Sequence, residues 1–133
     1  MHPKFDHASS LTGTVIAGAI EVHNEMGPGL NEPIYEWCLM QELSLRNLEI
    51  TNQQKVLIRY KEFVREEPLR FDVLVEQCLL IEAKAVEKIL PIHKAQLLTY
   101  MKLVDVPLGL LINFNVGKLT DGVSRLMLPG ANV

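Results

Sequence analysis

A chain of 133 residues is about one domain's worth, long enough to bury a single sizeable core. Its 48% apolar and 22% charged content excludes a disordered chain, and a net charge of −3 gives no bulk attraction to nucleic acid or to an anionic membrane. Any polyanion would have to be met by a local patch or through bound cations.

Residues 1–9 read as a flexible lead-in without the apolar stretch of a signal peptide. No apolar run approaches the roughly 20 residues that span a bilayer. A soluble, cytoplasmic protein with no membrane partner is expected. Cys38 and Cys78 lie far apart in apolar segments and form no CxxC pattern, so reduced core thiols are expected.

From Ser10 to Met26, apolar residues at Val15, Ile16, Ala19 and Ile20 keep helical spacing, with Ser10 as N-cap and Gly27 as the stop. On that helix His23 reads as a half-buried core histidine. After a GPGL turn, Asn31 is a candidate N-cap for a second helix from Glu32 to Arg46, with Pro33 in its first turn. Its apolar face takes in Ile34, Trp37, Cys38, Met40, Leu43 and Leu45, and Trp37 is assigned to the core. Residues 49–60 end in β-branched and aromatic residues and predict a strand. KEFVREEP is then a polar connection in which Phe63 and Val64 can still pair.

Residues 69–75 and 79–85 predict two further strands joined by a reverse turn. Pro91 opens a third helix carrying Ile92, Ala95, Leu97, Leu98, Met101 and Leu103. LGLLINF, residues 108–114, is a continuous apolar run of the kind found in central strands buried on both faces. Asn113 and Asn115, at its end, read as turn caps. Residues 123–128 predict an edge strand. The order gives a single α/β domain over residues 10–128, a central mixed sheet flanked by helices, with a short tail at 129–133.

The chemistry concentrates at Asp72, Glu82 and Lys84, three charges inside apolar strands. Alternation puts Glu82 and Lys84 on one face, and Arg70, Asp72 and Leu74 on one face with Phe71, Val73 and Val75 on the other. Asp72 faces Glu82 only if the turn is centred on Gln77, as with a three-residue loop Glu76-Gln77-Cys78. A two-residue Glu76-Gln77 turn instead sets Asp72 opposite Ile81. In the first register two carboxylates and an ammonium converge. Their mutual repulsion and desolvation are best balanced by a divalent cation, and few hard oxygen ligands with room left for water suit Mg²⁺. From these three positions alone, a simple surface Glu–Lys pair is the default reading.

The flanks add Gln96 and Tyr100, four apart on one helical face, His93 close to it, and Glu32 after the Gly-Pro-Gly turn. With Gly29-Leu30-Asn31-Glu32-Pro33-Ile34-Tyr35, the segments AIEVHNEMGPGLNEPIYE, LRFDVLVEQCLLIEAKAVEKILPIHKAQLLTYMKL and GLLINFNVGKLTDGV resemble the GxxExxY proteins, a branch of the PD-(D/E)XK nuclease superfamily. The likeness spans about residues 11–128. Two departures from it are mild: Asn31 and Pro33 beside the glutamate, and Ala83 between Glu82 and Lys84.

The resemblance implies a restriction-endonuclease-like fold and Mg²⁺-dependent hydrolysis of phosphodiesters, with Mn²⁺ as a substitute and DNA as the favoured nucleic-acid substrate. Asp72 and Glu82 correspond to metal ligands, with the Ala83 carbonyl and Glu32 as further ligands. Lys84 corresponds to the catalytic lysine, and Gln96 with Tyr100 is similar to the QxxxY motif that positions the lysine, the water or the strand. The alternative in the same fold is a module that binds nucleic acid or protein without turnover; a purely structural interaction domain is a third reading. So small a domain covers little nucleic acid, so a homodimer or a larger complex is expected.

His93 is read as a contact to phosphate or to a metal-bound water, or else as a helix cap or surface group. Lys88 and Lys94, with Lys55, Arg59 and Lys61, are read as a phosphate-facing stripe or as scattered solvated charge. Tyr35 is assigned to packing against the sheet or to closing over the site. His2 and His7 are assigned to a solvated tail.

Overall fold

The computed structural model describes all of Met1–Val133. Two helices come first, α1 (Phe5–Met26) and α2 (Glu32–Leu45), then strands β1 (Ile50–Tyr60), β2 (Phe63–Val75) and β3 (Leu79–Lys84). Helix α3 (Pro91–Val104), strand β4 (Leu108–Asn113), a 3-10 turn at Leu119–Gly122 and strand β5 (Val123–Met127) complete the chain. The five strands lie in the order β1-β2-β3-β4-β5. β3 and β4 run parallel, because α3 carries the chain back across the sheet; the other neighbours are antiparallel.

Alternation along the strands builds a core on each face. Val73, Val75, Leu79, Ile81, Leu108, Leu110 and Ile112 pack under α1 and α2. Leu74, Leu80 and Leu111 pack under α3 with Leu97, Met101 and Val104. Every residue of β4 is buried, as a strand covered on both faces requires, and β5 forms the far edge. Both cysteines are free, Cys78 buried and Cys38 partly so. No helix is long and apolar enough to cross a membrane.

Several expectations are corrected. α1 begins at Phe5 and not at Ser10, whose hydroxyl instead donates to the His7 carbonyl at 2.6 Å. Residues 1–9 are therefore not a loose lead-in: Ala8 is fully buried, and the His2 N–H donates to the Ala131 carbonyl at 2.9 Å. His2 Nε2 also pairs with Asp105 at 2.9 Å, which takes it out of the solvated tail. Trp37 is not core but 63% exposed. α2 buries Tyr35, Leu39 and Leu43, and a residue two positions from Tyr35 lies about 200° around the helix, on the opposite side.

The stretch read as a polar connection belongs to β2. It pairs back on β1 as far as Tyr60 opposite Phe63, forming a long ribbon whose outer half is exposed and so tolerates charged residues.

Candidate functional site

The turn between β2 and β3 sets the site. Glu76 and Gln77 both take positive φ, 51° and 59°, in a three-residue loop that leaves Val75 opposite Leu79 and Val73 opposite Ile81. Asp72 and Glu82 are the next residues outward on each strand. This is the register centred on Gln77.

Beyond that point the two strands stop pairing as a regular ladder, and side chains take over the bonding. The Ala83 N–H donates to Asp72 Oδ2 at 2.6 Å, and the Asp72 N–H donates to Glu82 Oε1 at 3.4 Å. On the other side of β2, three residues (Phe71, Asp72 and Val73) stand against Asn52 alone, because Arg70 pairs with Gln53 and Leu74 with Thr51. This bulge breaks the alternation assumed from sequence. Phe71 joins the cluster under α3 together with Leu74, three residues on, instead of sharing a face with Val73.

Here β2 and β3 border an open cleft of about 290 Å³ lined by Asp72, Glu82, Lys84, Arg70, Phe71, Asn52, Glu36, Gln96 and Tyr100. Glu82 is 7% exposed. Burial, then the neighbouring Asp72 charge, raises its carboxyl to about 8. Burial also raises Asp72, against the pull of the Ala83 N–H and of Lys84. Glu36 is pushed to about 7 by burial and by Asp72, to which its carboxyl hydrogen-bonds. The cleft thus holds three carboxyls that compete for protons and lack a full complement of positive charge.

Lys84 is the cation that acts on Asp72 and Glu82, and Arg70 the one that acts on Glu36. Part of the Lys84 charge goes elsewhere: its Nζ lies 4.0 Å from Glu32 Oε1, and the Glu32 Oε2 accepts the Ala85 N–H at 3.4 Å. The backbone beside it is fixed by β4. The Phe114 N–H donates to the Lys84 carbonyl at 2.8 Å, and the buried Asn113 side chain brackets Val86, accepting its N–H at 3.1 Å and donating to its carbonyl at 2.9 Å. The turn-capping role expected for Asn113 is the one found.

The GxxExxY spacing has a local physical cause. Gly27 and Gly29 take φ of 71° and 97°, left-handed backbone that only glycine adopts without strain. The Tyr35 hydroxyl donates to the Gly27 carbonyl at 2.5 Å and accepts the Leu30 N–H at 3.1 Å, while its ring stacks on Phe114 at 4.6 Å. Tyr35 therefore ties the turn to the first turn of α2, where Glu32 sits. It is a fully buried core residue and does not close over the cleft.

Across the cleft, Gln96 Nε2 lies 3.5 Å from the Tyr100 hydroxyl on α3. The other residues singled out from sequence stand outside the lining. His93 caps α3, its Nδ1 accepting the Leu90 N–H at 2.9 Å, while Lys88 and Lys94 are exposed. His23 is buried, with its Nε2 bonded to the Val116 carbonyl at 2.8 Å. Glu36, Arg70 and Asn52 were missed. Glu36 lies four residues after Glu32, on the same helical face, and that spacing was the available signal.

Two neighbouring carboxylates in an open, polar cleft fit a hard divalent cation that keeps most of its waters; Ala83 and Glu32 stand outside the lining. No three histidine, cysteine, aspartate or glutamate side chains are drawn into a ready-made cage, so the arrangement does not suit a closed structural metal site.

A family model for the PD-(D/E)XK nuclease superfamily matches residues 9–126. A search among curated proteins gives no match. The solved structure of SSO0001 is similar over 87% of this chain and 75% of its own, at 19% identity and a TM-score of 0.43, a likeness too loose to build on.

Proposed function

Because the chain belongs to the PD-(D/E)XK nuclease superfamily, we propose that it is a divalent-metal-dependent nuclease that hydrolyses phosphodiester bonds in DNA, and that it falls in the GxxExxY branch. The observation that carries this reading is the convergence of Asp72, Glu82 and Lys84 in one cleft with Gln96 and Tyr100. The Gly29, Glu32 and Tyr35 positions, joined by the turn that Tyr35 ties, support the finer assignment.

Asp72, Glu82 and the Ala83 carbonyl would hold Mg²⁺, or Mn²⁺ in its place, with Glu36 and Glu32 the nearest further carboxylates. When bound, such a cation polarises a phosphoryl oxygen and lowers the pKa of an attached water. The residues of the chain supply the rest. Lys84 donates to a non-bridging oxygen as negative charge develops at phosphorus, and Glu32 orients the ammonium from behind. Arg70 is exposed at the rim of the cleft and offers a bidentate contact to a backbone phosphate. Gln96 and Tyr100 hold the strand across the cleft from the carboxylates. The carboxyls must be deprotonated to bind the cation, so their raised titration makes loading pH-dependent.

The test is calorimetric titration of Mg²⁺ and Mn²⁺ into wild type and Asp72→Asn, followed by cleavage of labelled single- and double-stranded DNA. Binding and cleavage in the wild type, both lost in the variant, are the expected result. Cation binding with no cleavage of DNA or RNA would favour a nucleic-acid-binding module in the same fold.

A further inference from the structure

Two apolar patches lie away from the cleft, and they carry opposite charge. The first is the tip of the β1–β2 ribbon, where Tyr60, Phe63 and Val64 are 61%, 67% and 52% exposed. Arg59 and Lys61 beside them make no salt bridge, whereas Lys55 and Arg65 are paired with Glu66 and Glu67. The second is a groove of about 160 Å³ between α1 and α2, lined by buried Val22 and by Met26, Trp37 and Leu45, with Trp37 and Leu45 63% and 77% exposed. Its rim carries Glu21 and Glu25, one turn apart on α1, which are exposed and make no salt bridge.

Each patch has what the other lacks. The tip is an apolar wedge on which Arg59 and Lys61, the latter over the Tyr60 ring at 5.3 Å, outnumber the one exposed carboxylate Glu62, and the groove is an apolar slot with Glu21 and Glu25 unpaired at its rim. A monomer that left both in water would expose its only tryptophan for nothing. We propose that the occupant of the groove is the ribbon tip of a second copy of this chain, in a reciprocal two-fold dimer. One tip-in-groove contact is small against the roughly 1,600 Å² of a standard stable interface, and two-fold symmetry supplies the contact twice. Nucleic acid suits the tip less well. Tyr60 and Phe63 could stack on bases, but Leu57 and Val64 between and beside them are aliphatic, and residues 55–67 carry only four cations against three carboxylates, too little positive charge to follow a phosphate backbone. The inference does not depend on the nuclease reading, since neither patch contributes to the cleft.

Sedimentation velocity across a range of concentrations tests it, using charge reversals at exposed positions outside both cores. Arg59→Glu with Lys61→Glu, and separately Glu21→Lys with Glu25→Lys, each weaken the dimer on the order of a hundredfold, because like charges then face each other across the contact. Mixing the two variants restores a dimer, as does one chain carrying all four reversals. A wild type that stays monomeric at every concentration overturns the proposal, as does failure of the four-fold variant to recover. Tip reversal that weakens binding of a labelled DNA while leaving sedimentation unchanged assigns the tip to nucleic acid, and also overturns it.

Discussion

The Ala83 N–H donates to Asp72 Oδ2 at 2.6 Å, so a carboxylate stands where a β ladder would present a carbonyl. Asp72 is therefore both a structural acceptor and a charged group facing the cleft, and two substitutions separate the roles. Asp72→Asn keeps an oxygen for the Ala83 N–H and removes the charge. Asp72→Ala removes both and leaves a partly buried donor unpaired, at a cost of about 1–3 kcal/mol. Urea unfolding in a chelating buffer should therefore rank Asp72→Ala clearly below Asp72→Asn, while both variants lose cation binding and cleavage. Equal stabilities would show that the bond to Ala83 contributes nothing.

Glu82 titrates at about 8 and Glu36 at about 7 in the folded chain, against 4.5 ordinarily. Between those values the folded state holds protons that the unfolded state has released. Their stabilising contribution is full below 4.5, declines as pH rises through 7, and is gone above about 8. Without metal, stability should fall from about pH 5 to about pH 8, by on the order of 2 kcal/mol, with the melting temperature following it down. Added Mg²⁺ should reverse the trend, since it takes the place of the lost protons and binds more tightly as pH rises. Melting curves with and without the ion check both signs; a metal-free protein that stabilises with rising pH would contradict the burial of Glu82.

Tyr35→Phe keeps the stack on Phe114 and removes one oxygen, the atom that joins the Gly27 carbonyl to the Leu30 N–H. The expected loss is about 1–2 kcal/mol. Cleavage should fall further than stability does, because the freed turn no longer fixes the start of α2, where Glu32 meets Lys84 at 4.0 Å. Activity measured well below the melting temperature separates the two effects.

Much of the frame was legible because it depends on local rules. Pro91 opens α3, Gly27 closes α1, and the apolar run of β4 becomes a strand buried on both faces. The register of Asp72 against Glu82 was reducible to a choice between two turns. What alternation could not supply was the bulge opposite Asn52, since a pattern of period two has no term for an inserted residue. Trp37 was misplaced for a related reason: α2 is apolar on more than one side, so residue type alone does not say which side meets the sheet. Glu36 escaped notice because one helical turn of α2 supplies two carboxylates, and only the packed structure shows that Glu36 reaches Asp72 while Glu32 faces Lys84.

The close approach behind Lys84 is equally specific. A Cβ on Gly122 would lie 2.1 Å from the Asn113 carbonyl oxygen, and backbone cannot move aside as a flexible side chain can. Gly122→Ala should cost about 1–3 kcal/mol and displace the end of β4. Asn113 holds Val86 two residues beyond Lys84, so the displacement should reach the cleft. Thermal denaturation gives the first effect and cation affinity the second. An alanine variant as stable as wild type would mean that the 3-10 turn yields freely.

Glu36→Gln tests the carboxyl that the sequence reading passed over. The amide can still donate to Asp72, as the protonated Glu36 carboxyl does, so the fold should be retained. It cannot carry charge, however, and one proton-binding step near pH 7 disappears from the cleft. The pH dependence of Mg²⁺ binding should then become less steep between about pH 6 and about pH 8, with affinity at high pH reduced by about tenfold. In Glu32→Gln the slope should change much less, because the carboxylate lost there faces Lys84 and Ala85 and its charge is the smallest of the influences that raise Glu36. Calorimetric titrations of both variants over that range compare the slopes directly. If Glu32→Gln flattened the profile and Glu36→Gln left it steep, the α2 carboxylate that serves the cation would be Glu32.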